Sequence, residues 1–169
     1  MNSFRTETDL LGDLQIPENA YYGVQTQRAI NNFKISNHKL YQYPIFIKSL
    51  AVVKLAAVET NFELGLINET LKNAISQACL DLLKDQYFEQ FPIDMIQGGA
   101  GTSVNMNANE VIANIALEKL GHQKGDYQHC SPNDHVNLSQ STNDAYPSAL
   151  KLALFQSSKQ VTNALEKLF

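Results

Sequence analysis

The chain has 169 residues, of which 44 % are hydrophobic, enough to bury the core of one domain or slightly more. A formal net charge of −4 and thirteen scattered Lys and Arg argue against nucleic acid as a partner, and no nucleic-acid-binding motif occurs. Charged residues make up only 18 %, below the roughly one quarter usual in soluble proteins, so part of the surface is expected to be covered by a partner.

The first segment, "MNSFRTETDLLGDLQ", is polar and acidic and lacks the basic start and apolar run of a signal peptide. "IPENAYYGVQTQRAINNF" reads as a Pro-initiated turn followed by a short helix around Gln25 to Asn31. The first long helix is predicted from Pro44 to Leu64. Pro44 suits a first helical turn, and Phe46, Leu50, Val53, Ala57 and Val58 recur at helical spacing. This stretch, "PIFIKSLAVVKLAAV", is the most apolar of the chain, but Lys48 and Lys54 interrupt it and it is too short to span a bilayer.

A second helix is predicted from Glu69 to Lys84, capped by Asn68, with Leu71, Ile75, Ala78, Cys79 and Leu82 facing the core. "QFPID" is the one extended piece that the pattern offers. A third helix is expected from Ser103 to Leu120, closed by Gly121, and a fourth from Thr142 to the last residue, with Pro147 near its first turn. The fold class that follows is all-α, mainly helical. Cys79 and Cys130 form no CxxC pair and read as reduced thiols of a cytoplasmic protein. The fourth helix ends in "ALEKLF" without a cap and is apolar on more than one side, as a helix with several neighbours would be.

The segment with most chemical information is "MIQGGAGTSVNMNANEV", Met95 to Val111. Three glycines lead into a helix start that carries Thr102 and Ser103, then Asn105, Asn107 and Asn109. It is not a phosphate loop, because no Gly-Lys-Ser/Thr follows, and not a dinucleotide fingerprint, because Val104 stands where the third glycine belongs. No cofactor is therefore expected. A glycine turn that delivers the chain into a helix exposes unpaired N–H groups, and with two hydroxyls these make an anion site without a fixed cation. A second helix start, Ser141-Thr142-Asn143-Asp144, has the same dress. Two such ends converging on one pocket would hold a carboxylate. The alternative, that Thr102, Ser103 and Ser141 are simply helix caps, stands beside it.

Among basic residues only Arg28 lies near a polar cluster from which it could reach an anion, and a surface ion pair is its other reading. His135 lies close to Ser141 in sequence, which leaves a Ser–His arrangement open. His122 and His129 read as surface residues. No His pair has the spacing of a zinc motif and no carboxylate partner stands out, so no metal site is expected.

"IQGGAGTSVNMNANEVIAN", "PNDHVNLSQSTNDAYPSA" and "RTETDLLGDLQIPENAYYGVQTQRAINNF" resemble, in order and at matching spacing, three segments of the aspartase/fumarase superfamily. "QGGAGTS", "AYYGV", "QSTNDAYP" and Ser131 before "PND" resemble its aspartate ammonia-lyase branch more than class II fumarases. The resemblance implies a division at residue 141, with 1–141 as an N-terminal lyase domain and 142–169 as the beginning of the first long helix of a central helical domain. It implies that Thr102, Ser141 and Thr142 hold a substrate β-carboxylate and that Asn143, with Thr102, meets the amino group. Ser103, Asn105, Arg28 and His135 are further candidates. The reaction implied is the reversible conversion of L-aspartate to fumarate and ammonia, in a homotetramer whose active sites combine several subunits. The family's catalytic serine loop, "GSSxMPxK", does not occur here, so no catalytic base is expected in this chain. Fumarate hydratase, another dicarboxylate lyase, or a non-catalytic helical assembly piece are the competing readings.

Overall fold

The computed structural model describes residues 3–168. Five α-helices carry the fold: α1 (Val24–Asn32), α2 (Pro44–Glu63), α3 (Glu69–Leu83), α4 (Thr102–Lys119) and α5 (Thr142–Glu166). The predicted helices hold to within one residue at each end for α1 to α4, and α5 starts at Thr142 as predicted. Asn68 accepts the Leu71 N–H and caps α3 as its side chain suggests. Helix α5 stops at Glu166, and the final position of the predicted helix, Phe169, lies outside the described residues. Pro147 is not in the first turn of α5. It is the sixth residue of the helix, where it removes the N–H that would bond the Asn143 carbonyl.

A two-stranded antiparallel sheet precedes the helices, β1 (Phe4–Asp9) with β2 (Gly12–Pro17), in register Phe4↔Pro17 through Asp9↔Gly12. The sequence pattern did not announce it, because its alternation is carried by polar residues: Glu7 and Ile16 point inward while their neighbours remain in solvent. Arg5 secures the hairpin to the chain that follows. Its guanidinium donates to Glu7 and to the carbonyls of Pro17, Ala20 and Tyr22. "QFPID" forms no strand of its own, only an isolated bridge between Lys39 and Asp94.

Helix α2 packs against α3 and α5, while α4 packs against α1 and α3. Of its eighteen residues, α4 buries thirteen, all but Met106 of the run Val104–Leu117. Its apolar residues face the core as their spacing predicts, but so do Asn105, Asn107, Asn109, Glu110 and Asn114. Buried polar groups cost free energy unless partnered, and for Asn107, Asn114 and Glu110 the partners come from loops and the start of α1. Asn107 donates to the Gln90 carbonyl. Asn114 donates to the Tyr21 carbonyl and the Tyr127 hydroxyl, and accepts the Gly125 N–H. Glu110 accepts the N–H groups of Gly23, Gln25 and Thr26, and so caps the positive end of α1. Burial pushes its carboxyl up to about 7, against the downward pull of those amides.

The first half of α5 rests on the body through Ala145, Ala149 and Ala153. Beyond them it runs exposed: Leu154 is 60 % accessible, Phe155 63 % and Leu165 52 %. No described helix is long and apolar enough to cross a membrane.

Asn114→Ala would leave the Gly125 N–H without its acceptor and the Tyr21 carbonyl without its donor. We expect a loss of about 2–4 kcal/mol, read from the midpoint of urea denaturation.

Candidate functional site

The glycine loop and the start of α5 meet. Gly99, Ala100 and Gly101 line one side of a cleft of about 370 Å³, and Asn143, Tyr146 and Pro147 line the other. Gly101 is required twice over at this contact. Its φ of +91° is a left-handed conformation, and a Cβ would be driven into the Tyr146 ring.

Neither hydroxyl of Thr102-Ser103 caps α4. The N-cap is Gly101, which has no side chain to offer, and Gln97 accepts the Val104 N–H in its place. Among the described residues the exposed Thr102 hydroxyl takes no hydrogen bond, and it stands beside the cleft at the positive end of α4. Ser141 does cap α5. Its hydroxyl accepts the Asn143 N–H, and Asp144 returns the bond to the Ser141 N–H. A hydroxyl that accepts one bond still has its own proton to donate, so capping does not remove Ser141 from the ligand set.

Asn105 joins the two helix starts directly. Its amide donates to the Thr142 hydroxyl at 3.2 Å and to Asn137 Oδ1 at 3.1 Å. Asn105 Oδ1 is buried and has no partner among the described residues. The structure thus brings Thr102, Asn105, Thr142 and Asn143 to one place, with Ser103 and Ser141 adjoining in the chain.

Two candidates lie elsewhere. Arg28 pairs with Asp9 at 2.6 and 2.8 Å and donates to the Gly12 carbonyl, so its guanidinium is occupied in anchoring α1 to the hairpin turn. That pairing holds the Asp9 carboxyl below its usual range. His135 sits in a π-helical turn, Pro132–Val136, where its Nδ1 accepts the Ser131 N–H. It lines a different cavity, with His122 and His129.

A residue that the sequence reading passed over completes the cleft's electrostatics. Lys54 of α2 is fully buried, and its ammonium donates to Asn137 Oδ1 and Gln140 Oε1, both at 2.9 Å. Asn137 is also the acceptor of Asn105, so the chain Lys54–Asn137–Asn105–Thr142 runs from the core to the cleft. The buried Lys54 amine therefore stands behind two helix N-termini that carry hydroxyls and amides, with the Asp144 carboxylate in the first turn of α5. Burial lowers the Lys54 amine to about 7. The readable signal was its position: Leu50, Lys54 and Val58 are four residues apart on the face that meets the core.

A second correction concerns the histidines. His122 and His129 do have a carboxylate partner, Asp126, whose Oδ2 lies 3.6 Å from a nitrogen of each ring. Sequence spacing could not show this, because Gly121 and Gly125, at φ +81° and +86°, fold the loop back on itself.

The site is thus a glycine turn and two hydroxyl-bearing helix starts around one cleft of a mainly helical fold. Comparison with known proteins makes it specific. A family model described as lyase matches residues 12–169. Aspartate ammonia-lyase of Helicobacter pylori is 62 % identical over 152 residues, covering 90 % of this chain and 32 % of that protein. Aspartate ammonia-lyase of Escherichia coli K12 is 52 % identical over 168 residues, covering 99 % of this chain and 35 % of that protein. A fumarate lyase:delta crystallin from Brucella melitensis bound to cobalt superposes with a TM-score of 0.97 at 52 % identity, over 98 % of this chain and 36 % of that one. Class II fumarase from Schistosoma mansoni gives 0.83 at 38 %, over 89 % and 32 %. The chain belongs to the lyase family, within the aspartase/fumarase superfamily. It spans about a third of the length of the curated relatives it matches.

Two outcomes are expected. Gly101→Ala displaces Tyr146 and lowers the thermal midpoint, with a cost of about 2 kcal/mol or more from the left-handed φ and the clash together. For Lys54 the folded state holds fewer protons than the unfolded chain between pH 7 and 10.5, so stability rises with pH across that window and the desolvation cost is fully present below it. Urea denaturation at pH 7 and 9.5 should show this slope in the native protein and a flatter one in Lys54→Met.

Proposed function

We propose that the native protein is an aspartate ammonia-lyase, converting L-aspartate reversibly to fumarate and ammonia. This chain supplies the carboxylate- and amine-binding part of its active site. The observation that carries the reading is the convergence of the α4 and α5 starts on the glycine-loop cleft, with the Thr102 hydroxyl unengaged and Thr142 tied to Asn105. The names and identities of the relatives support it.

In this reading Thr102, Ser141 and Thr142 donate to the β-carboxylate, and Asn143 with Thr102 holds the amino group. A base takes the Cβ proton, the electron pair moves into the carboxylate to give an aci-carboxylate dianion, and the C–N bond then breaks to release ammonia. Neutral donors and two helix dipoles favour the dianion over the ground-state carboxylate, which is what lowers the barrier. Lys54, through Asn137 and Asn105, keeps Thr142 oriented. No residue of this chain is assigned the base. The further parts of the reading are a cytoplasmic homotetramer, with residues 1–141 forming an N-terminal lyase domain and 142–169 the beginning of the first long helix of a central helical domain. The exposed apolar half of α5 supports this.

The test is fumarate formation from L-aspartate by the native protein, with L-malate as the competing substrate. Turnover of malate in preference to aspartate would replace this reading with a hydratase. Thr102→Ala should lower kcat roughly a hundredfold. Because the Thr102 hydroxyl bonds to nothing among the described residues, the thermal midpoint should stay put. An unchanged kcat would remove Thr102 from the site.

A further inference from the structure

We propose that Gln97 is a positioning residue for the lyase reaction: it caps α4 from outside with a neutral acceptor, which pins the glycine loop and keeps negative charge out of the place that a substrate carboxylate takes. The inference rests on the carboxylate-binding reading of the cleft.

A helix start leaves its first N–H groups without intrahelical partners. In α4 the first intrahelical bond runs from the Asn105 N–H to the Gly101 carbonyl, so Thr102, Ser103 and Val104 hold the orphan donors. Such donors are usually met by a Ser, Thr, Asp or Asn at the N-cap. No side chain fits there, because a Cβ on Gly101 would enter the Tyr146 ring. Gln97 takes that role from upstream, and the Val104 N–H donates to its Oε1 at 3.1 Å. The Thr102 and Ser103 N–H groups take no hydrogen bond among the described residues and remain beside the Thr102 hydroxyl.

The bond from Gln97 to Val104 closes a loop over Gly98, Gly99 and Gly101, the residues with the widest conformational freedom. Its base is firm. The buried Asp94 carboxylate accepts the N–H groups of Ile96 at 2.9 Å and Ser36 at 2.7 Å, and it pairs with Lys39. The Gln97 side chain therefore ties the start of α4 to an anchored turn.

The α5 start is the internal contrast. Ser141 caps it, and Asp144 puts a carboxylate in its first turn. A carboxylate at position 97 would likewise be the stronger cap, since a charged acceptor makes a bond about twice as strong and meets the positive end of the helix. An amide holds the same N–H without charge. Gln97 lines the cleft with Gly99, Gly101 and Asn143, so a charge there would act directly on a bound anion.

The experiment measures L-aspartate turnover, inhibition by succinate and thermal midpoint for the native protein, Gln97→Glu and Gln97→Ala. Gln97→Glu should keep or raise the thermal midpoint, yet raise the KM for L-aspartate and the Ki of succinate about tenfold, a penalty that shrinks in about 0.5 M salt, while kcat stays close to native. Gln97→Ala should lower the midpoint and reduce kcat about tenfold, because Thr102 is no longer held in place. Gln123→Glu makes the same charge change on an exposed residue beyond the other end of α4 and should leave KM as it is. A cap with only a structural role predicts native KM in Gln97→Glu, and that result would overturn the proposal. So would a native midpoint and native turnover in Gln97→Ala. If the native protein turns over L-malate in place of L-aspartate, the aspartate reading fails, but the rise in KM for Gln97→Glu should persist with malate, which brings the same carboxylate. A native protein that turns over neither and is blind to succinate would remove both.

Discussion

The rest of the structure depends on the burial of α4. A helix enclosed along nearly its whole length cannot turn a polar face to water, yet this one carries four asparagines and a glutamate inside. Each such group costs a few kcal/mol unless partnered. The connecting segments supply partners for several of them. Tyr21, Gly125 and Tyr127 satisfy Asn114, the first amides of α1 satisfy Glu110, and Gln90 takes the Asn107 amide, while the Oδ1 atoms of Asn105, Asn107 and Asn109 have no partner among the described residues. The loops are ordered because α4 requires them to be, and the start of α4 is held at a defined place because the loops hold its body.

That place is where the candidate chemistry lies. Capping a helix start with its own side chain satisfies the end locally and consumes its donors. Here α4 is capped by none of its own residues, which leaves the Thr102 hydroxyl unengaged next to the dipole. The α5 start is capped by Ser141 yet tied through Thr142 and Asn105 to the same network. The fully buried Lys54 amine donates into the same network through Asn137 and Gln140. In the proposed reading a carboxylate in this cleft meets neutral donors, since the described lining residues include no cation. That suits a group whose negative charge grows during reaction.

Toward its distal end α5 leaves the body, and from Leu154 its apolar residues are exposed. The chain covers about a third of its curated relatives.

The sequence by itself determined the helices, because their signals are local: Pro44 at a first turn, Asn68 as a cap, apolar residues at three- and four-residue spacing. It also determined the glycine turn and the two dressed helix starts, and their order along the chain matched a family. Only the tertiary structure decided what depends on distance in space. The β1–β2 hairpin was illegible because its inward residues include a glutamate. Arg28 belongs to Asp9, and His135 faces the histidine cavity rather than Ser141, because neither pairing is written in spacing. Lys54 reads as an interruption of an apolar face until Asn137 and Gln140, more than eighty residues later, are folded against it. His122, Asp126 and His129 follow no motif, since two left-handed glycines bring them together. Periodicity reports which face of an element is buried. It does not report which distant polar group that face will meet, and the site is built from those meetings.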